Sequence, residues 1–148
     1  MQIKSVAAKT INGLSVRTDN ITEMSVNGKI APLWQAFDEM VPVDYKHGER
    51  VYGVYFDYES DHAGKFTVLA GFDGRSLPTG MKLETVTIPA AKYLVFHHQG
   101  TMPQIAIDAW TEVWNYFSSQ QVEHERLYST DFEYYPNQNE IEVHIAIR

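Results

Sequence analysis

The feature that most constrains this chain of 148 residues is an order of helical and strand-like periodicities that occurs twice. The first helical stretch follows Asn27-Gly28 and ends at Pro42, with apolar residues at the i, i+3, i+4, i+7 spacing of an amphipathic helix: Ile30, Leu33, Trp34, Phe37, Met40 and Val41. The second runs from Pro103 to Ser119, and its apolar stripe consists of Ala106, Ala109, Trp110, Val113 and Phe117, widened by Ile107 and Trp114. Each predicted helix follows one β-rich segment and precedes two others.

The segments around the predicted helices are rich in β-branched and aromatic residues, which is typical of strands. They are Ile3 to Arg17, Tyr52 to Tyr58 and Phe66 to Phe72 in the first half, and Leu83 to His98, Asp131 to Tyr135 and Glu140 to Ile147 in the second. Asn12-Gly13 predicts a turn or bulge within the first segment, and Pro89 predicts a bend within the fourth.

The order strand, helix, strand, strand, given twice, predicts an α+β fold in a single domain over residues 1–148. Repeat one should span about 1–75 and repeat two about 81–148, with the loop from Asp73 to Gly80 between them. We expect the two repeats to be related by a pseudo-two-fold axis and to form antiparallel sheets around a central ligand cleft. Concave sites between packed units are where ligands commonly bind.

Composition excludes several classes of function. The formal net charge of −7 would repel a nucleic-acid backbone, and the absence of cysteine excludes disulfides, thiolate metal sites and cysteine nucleophiles. No apolar stretch approaches the length of a membrane-spanning helix, and the N-terminus lacks the apolar core of a signal peptide. We therefore expect a cytoplasmic protein that binds neither nucleic acid nor membranes.

Motifs for catalysis, metals and cofactors are also missing from the sequence. It contains no Gly-x-Ser-x-Gly, Walker loop, dinucleotide fingerprint or His-Glu-x-x-His. Adjacent His97 and His98 would point to opposite sides of a strand, and His124 and His144 have no partner at metal-ligand spacing. We predict no catalytic residue, no metal site and no cofactor.

The second half carries the most specific pattern in the chain. It comprises a strand that ends in a His-x-Gly step at His98 and Gly100, an aromatic-rich helix, a Phe-Glu-x-Tyr step at Phe132 to Tyr135, and a closing strand, Glu140 to Ile147. This combination resembles the GyrI-like family, which includes effector domains of AraC-type and MerR-type multidrug-responsive regulators. The first half matches more loosely, through its helix and the Tyr-Gly-Val run that begins at Tyr52.

The resemblance implies two αβ repeats around a central pocket that holds bulky, often cationic, small molecules. In those regulators a helix-turn-helix domain precedes the module, whereas here the family-like strand begins at Met1. Direct transcriptional control is therefore not expected, although a separate DNA-binding domain on another chain could be a protein partner.

The resemblance also identifies candidate ligand-binding residues. It implies that Glu133, the glutamate of the Phe-Glu-x-Tyr step, points into the pocket and meets the positive charge of the ligand; taken alone, a strand glutamate is more often solvated. If Glu133 faces inward, the period-two alternation of a strand places Tyr135 beside it and Phe132 and Tyr134 on the other face.

Two further candidates lie on other elements. On the Tyr52 to Tyr58 segment we expect Tyr52, Val54, Phe56 and Tyr58 to meet a helix, which leaves Tyr55 facing the cleft. Trp110 is proposed because it lies in the better-matching half. Large aromatic residues on helix faces such as Trp110 and Trp34 are more often core than pocket wall.

These observations favour a stand-alone module that senses or sequesters hydrophobic, cationic small molecules. Two alternatives stay open. One is a protein-interaction module similar to family relatives that protect DNA gyrase by contact. The other is a hydrolase of reactive small molecules, in which Glu133 and Tyr135 would activate water.

Overall fold

The structure is a computed structural model that describes residues 1–75 and 82–148. Residues 76–80 of the predicted connecting loop, Asp73 to Gly80, therefore lie outside the described residues. The described elements are, in chain order, β1 (Gln2–Val6), β2 (Lys9–Thr18), α1 (Asn20–Glu23), α2 (Ile30–Met40), β3 (Val51–Phe56), β4 (Phe66–Phe72), β5 (Glu84–Ile88), β6 (Ala91–Gln99), α3 (Gln104–Ser118), β7 (Thr130–Asn137) and β8 (Glu140–Ala146). A short 3-10 helix, Tyr45–His47, precedes β3.

The eight strands of the described chain join one antiparallel sheet in the order β1-β6-β8-β7-β3-β4-β2-β5. The strands correspond in pairs between the repeats: β1 with β5, β2 with β6, β3 with β7 and β4 with β8. If the members of each pair are exchanged, the order read from the opposite edge is the same. A pseudo-two-fold axis therefore passes between β3 and β7. The predicted α+β fold of two related, antiparallel repeats is confirmed, whereas the stated limits of each repeat stay predictions.

Each repeat contains one more strand than the sequence pattern predicted. The segment from Ile3 to Arg17 forms two strands, β1 and β2, and the break lies at Ala7-Ala8. The segment from Leu83 to His98 likewise forms β5 and β6, separated at Pro89, where a bend was predicted. The first strand of each repeat pairs with the other repeat, β1 with β6 and β5 with β2. This exchange ties the two halves together at both edges of the sheet.

The turn or bulge predicted at Asn12-Gly13 is wrong. Gly13 lies inside β2 and pairs in continuous register with Gly71 of β4 on one side and Glu84 of β5 on the other. A Cβ atom on Gly13 would lie 2.6 Å from the Cα of Gly71 and would collide with the carbonyl oxygen of Ala70. The glycine is needed here for the close approach of two backbones, not for a turn.

The helices leave the centre of the sheet open. Helix α2 packs on β2 and β4, and α3 packs on β6 and β8, so each helix covers the outer strands of its own repeat. The buried apolar residues of the helices are Leu33 and Phe37 of α2 and Ile105, Ala109 and Val113 of α3. A space therefore remains between the helices over the central pair, β3 and β7.

The opposite face of the sheet is also buried, which corrects the prediction for β3. Tyr52 and Val54 belong to an apolar cluster on that helix-free face, together with Ile11, Leu69, Ile88, Tyr93, Phe132 and Ala146. Tyr55 instead lies in the cluster under α2. The curled sheet thus has apolar clusters on both faces of β3, so alternation alone does not identify the face that bears the helix.

The predicted stripe on α3 is also too wide. Ala109 and Val113 are buried as expected, but Ile107 and Trp114 are 54% and 38% exposed. Ile105, which lay outside the predicted stripe, is buried. The side of α3 that carries Ile107 borders the open space between the helices rather than the core.

Substitution of Gly13 tests the close approach of β2 and β4. Gly13→Ala should lower the free energy of unfolding by about 1–3 kcal/mol, the usual cost of overpacking, because the added methyl group meets backbone atoms that cannot turn aside. Urea unfolding followed by tryptophan fluorescence measures the change. Thr10→Ala, at an exposed position of the same strand, is the control and should cost less than about 1 kcal/mol. Equal losses in the two variants would contradict the assignment.

Candidate functional site

An open cleft of about 870 Å³ lies between α2 and α3 above the central strands. The sheet provides its floor through Tyr55, Glu133 and Tyr135. The walls come from both helices and the residues that precede them, chiefly Ile30, Ala31, Trp34, Gln35, Asp38, Glu39, Met102, Pro103, Ala106, Ile107 and Trp110. The volume lies within the range of about 300–1,000 Å³ that small-molecule sites occupy.

Glu133 is a buried carboxylate at the floor of this cleft, with 2% of its surface exposed. Oε2 accepts hydrogen bonds from Trp110 Nε1 at 2.7 Å and from the Tyr55 hydroxyl at 3.1 Å, and Oε1 accepts one from the Tyr135 hydroxyl at 3.0 Å. Burial raises the pKa of Glu133, and the three hydrogen bonds oppose that shift only in part. All three donors are neutral, so no cation compensates this carboxylate within the described chain.

Gly53 makes room for the carboxylate. It is the direct cross-strand partner of Glu133 in the β3–β7 register. A Cβ atom on Gly53 would collide with Glu133 Oε1 and would lie 3.0 Å from Cζ2 of Trp34. The carboxylate and the Trp34 ring therefore use space that any other residue at position 53 would fill.

The aromatic residues around Glu133 follow the pseudo-symmetry of the fold. Tyr55 and Tyr135 each lie two residues beyond the Gly53–Glu133 pair on their own strands, and each donates to a different carboxylate oxygen. Trp110 of α3 and Trp34 of α2 stand on opposite sides. The Trp110 ring contacts Tyr55 with centroids 4.9 Å apart, and the Trp34 ring contacts Tyr135 at 5.7 Å. Aromatic groups from both repeats thus surround one carboxylate.

The charged residues that line the cleft are all acidic: Glu23, Asp38, Glu39 and Glu133. Glu23 is engaged in structure, because its carboxylate accepts hydrogen bonds from the backbone amides of Lys29 and Ile30 at the start of α2. Burial raises the pKa of Asp38 on the rim. The cleft therefore presents a negative potential with no basic side chain along its lining.

The structure brings together the four site residues proposed from the sequence, namely Glu133, Tyr135, Trp110 and Tyr55. Sequence reasoning missed two neighbours, Gly53 and Trp34. Gly53 had a usable signal, since a glycine inside a β-rich run often marks a close approach. Trp34 had none, because its helical spacing is equally that of a core residue.

Among the described residues, the histidines are not grouped as a metal site. His97 lies 2.8 Å from Glu140 and His98 lies 2.9 Å from Glu112, so the two rings contact different elements. Over residues 1–75 and 82–148, no group of three or more His, Cys, Asp or Glu side chains is arranged to hold a metal ion. Within those ranges, no helix has the length and apolar character needed to cross a membrane.

Comparison with known proteins extends over the whole fold. A family model described as Cass2, integron-associated effector binding protein, matches residues 2–147. The integron cassette protein VCH_CASS2, from the mobile metagenome of Vibrio cholerae, is 38% identical, and its crystal structure superposes with a TM-score of 0.90 over 99% of this chain and 95% of that chain. The resemblance to GyrI-like effector domains expected from the sequence is confirmed.

Two more distant proteins are similar to this chain, one in sequence and the other in structure. The protein YobU of Bacillus subtilis (strain 168) is 27% identical over 95% of this chain and 92% of its own length. The structure of SAV2435 bound to tetraphenylphosphonium has a TM-score of 0.73 at 20% identity, over 99% of this chain and 93% of that chain. At that identity the likeness is one of fold.

The raised pKa of Glu133 predicts a pH-dependent cost to stability. Below the pKa of the unfolded glutamate, about 4.3, the carboxyl group is protonated in both states and the cost is absent. Between that pH and the folded-state pKa, the unfolded chain ionises while the buried group stays protonated. The cost to the folded state therefore grows with pH and reaches about 1.4 kcal/mol for each unit of elevation. Glu133→Gln should therefore gain stability relative to the wild type as pH rises, with a plateau above the folded-state pKa.

Urea unfolding at a series of pH values measures this difference. Glu39→Gln removes an exposed carboxylate from the rim of the same cleft and should stay within about 0.5 kcal/mol of the wild type throughout. A stability difference between Glu133→Gln and the wild type that is independent of pH would show that the carboxyl group ionises as freely in the folded state as in the unfolded chain.

Proposed function

The chain belongs to the Cass2 family of integron-associated effector binding proteins, and we propose that it binds hydrophobic organic cations in the cleft above Glu133. The observation that carries this proposal is the buried Glu133 carboxylate, which has three neutral hydrogen-bond donors and no cationic partner among the described residues. A buried charge without a counter-ion is costly, and a ligand cation would relieve that cost.

The surroundings of Glu133 favour a delocalised cation over a small, strongly hydrated one. Trp34, Trp110, Tyr55 and Tyr135 offer aromatic faces and edges, and Ile30 and Ile107 add apolar wall. Cations near aromatic faces gain electrostatic attraction, and an apolar ligand body gains by leaving water. An inorganic ion would lose its hydration shell in this cleft and gain few oxygen ligands.

The solved structure of SAV2435 supports this class of ligand. That protein shares the fold and is bound to tetraphenylphosphonium, a large hydrophobic cation. A fold that accepts such a cation in one protein is compatible with the same ligand class here. The residues proposed for this chain rest on its own geometry.

The wider role follows from effector binding. We propose a sensing or sequestering module in the cytoplasm, with a protein partner such as a DNA-binding domain or gyrase left as a prediction. The matching family is one of effector-binding proteins, which favours ligand binding over the hydrolase alternative.

The proposal makes Glu133 the charge determinant of ligand selection. Glu133→Gln keeps the shape of the side chain and removes its charge, so it should weaken tetraphenylphosphonium by about 1–3 kcal/mol, the scale of a charge-assisted contact. Binding of the neutral triphenylphosphine oxide should barely change. Cation affinity of the wild type should fall as pH drops through the pKa of Glu133 in the empty site, because the proton competes with the cation.

Isothermal titration calorimetry with both ligands measures these changes. Glu39→Gln, on the exposed rim of the cleft, controls for the general loss of negative potential and should have a much smaller effect. Equal losses for the cation and the neutral ligand would mean that Glu133 only maintains the structure. An unchanged cation affinity would mean that the ligand charge lies elsewhere.

A further inference from the structure

A second, smaller cavity of about 200 Å³ adjoins the cleft, and we call it the annex. It shares Tyr55, Trp110, Ile30 and Glu23 with the cleft, so the two spaces meet at the Tyr55–Trp110 contact. The rest of its lining is mainly aromatic and includes Tyr58, His62, Phe66, Trp114 and Arg126. The walls are therefore suited to one more aromatic ring.

Arg126 gives the annex a polar feature. Its side chain is 9% exposed, and Nη2 donates to Asp131 Oδ2 at 2.9 Å. Its guanidinium group lies 4.4 Å from the ring centroid of Tyr128. The Nε atom is buried without an acceptor, and Nη1 makes no hydrogen bond within the described chain. Buried donors are normally paired, so the unpaired Nε is unusual. Nη1 is the guanidinium donor that remains for a ligand group in the annex.

The charge of Arg126 is already balanced. Asp131 is fully buried; its Oδ2 also accepts from the Tyr58 hydroxyl at 2.6 Å, and its Oδ1 accepts from the Ala146 amide at 2.8 Å. The Arg126–Asp131 pair is therefore close to neutral as a unit. The Glu23 carboxylate also borders the annex. An anionic ligand group would meet that negative charge, whereas a neutral oxygen would not.

We propose that the annex is a second subsite, which binds an aromatic ring carrying a neutral hydrogen-bond acceptor such as an ester or ketone carbonyl. Arg126 is the residue that recognises the acceptor. The inference rests on the proposed function, since the cationic part of the same ligand lies over Glu133. Ligands of this protein are then two-part molecules: a delocalised cation joined to a substituted aryl group.

The size of the annex agrees with this assignment. An apolar protein cavity of about 150 Å³ is sufficient to hold benzene, so a cavity of about 200 Å³ accommodates one aryl ring with a small substituent. Trp114 and His62, which both line the annex, contact each other with ring centroids 5.6 Å apart. The annex therefore has room for the aryl part of a ligand but is too small for a cation built on several fused rings.

Three dyes with the same bis(dimethylamino)xanthylium cation test the proposal on the full chain. Pyronin Y has no aryl group, tetramethylrosamine adds a phenyl ring, and tetramethylrhodamine methyl ester adds an ester carbonyl to that ring. Fluorescence anisotropy titration gives each Kd. We expect the phenyl ring to tighten binding and the ester to tighten it again by about three- to tenfold, the scale of one ordinary hydrogen bond.

Variants assign each increment. Arg126→Met combined with Asp131→Asn removes both charges of the buried pair, which avoids an uncompensated carboxylate, and should abolish the preference for the ester over tetramethylrosamine. Trp114→Ala removes the partly exposed outer wall, so it serves if the double variant does not fold. It should reduce the gain from the phenyl ring and leave pyronin Y unchanged.

Glu133→Gln separates this proposal from the function on which it rests. It should weaken all three dyes by the same factor, because they share one cation. If it weakens none of them, the proposed function fails. If it weakens all three while the wild type binds the ester and tetramethylrosamine equally, or while the ester preference survives in the double variant, the annex proposal alone is overturned.

Discussion

The structure depends on one arrangement at the centre of the sheet, where the Glu133 carboxylate lies beside the bare backbone of Gly53. The two residues are cross-strand partners on β7 and β3, the strands that join the repeats. The carboxylate occupies the space that two side chains would otherwise fill. Its position fixes where Tyr55, Tyr135 and Trp110 place their donors.

The pseudo-two-fold axis explains why the site contains one such carboxylate. An exact repeat would place glutamates on both strands at the axis, and their charges and atoms would collide. Glycine at position 53 avoids a second glutamate side chain at the axis. One tyrosine and one tryptophan from each repeat surround the Glu133 carboxylate that remains. The result is a nearly symmetric aromatic enclosure with one negative charge at its centre, which suits a bulky, delocalised cation.

The position of the helices completes the site. Each helix packs mainly on the outer strands of its own repeat, so a cleft remains between the helices over β3 and β7. The exchanged strands β1 and β5 pair with the opposite repeats, so both edges of the sheet resist separation of the halves. The floor of the cleft is therefore held by the whole sheet, while the walls are formed by helix side chains that are partly exposed.

Local periodicity predicted the helices and most strands of this chain, because the apolar pattern of α2 and α3 is long and regular. It did not predict the pairing of β1 with β6 or β5 with β2, since pairing between distant segments has no local signal. The Asn12-Gly13 dipeptide resembles a turn in sequence, and only the backbone of β4 beside it shows why glycine is required.

The site could be predicted where a local pattern identified its residues. Glu133 and Tyr135 follow from the family-like step and strand alternation, and Tyr55 follows from alternation on β3. The direction of Tyr55 was predicted correctly, but the helix was expected on the opposite face of β3. That expectation was wrong because the curled sheet buries Tyr52 and Val54 without a helix. Arg126 lies in an irregular segment after α3, where no periodicity indicates its direction.

The most direct test of this account is a crystal structure of the protein with tetraphenylarsonium, whose arsenic atom is located by its anomalous signal. The account predicts one arsenic peak over the Glu133 carboxylate, between the rings of Trp34 and Trp110, and its loss in crystals of Glu133→Gln soaked at the same concentration. A peak confined to the helix-free face of the sheet, or one that persists unchanged in the variant, would contradict the claim that this carboxylate selects the ligand.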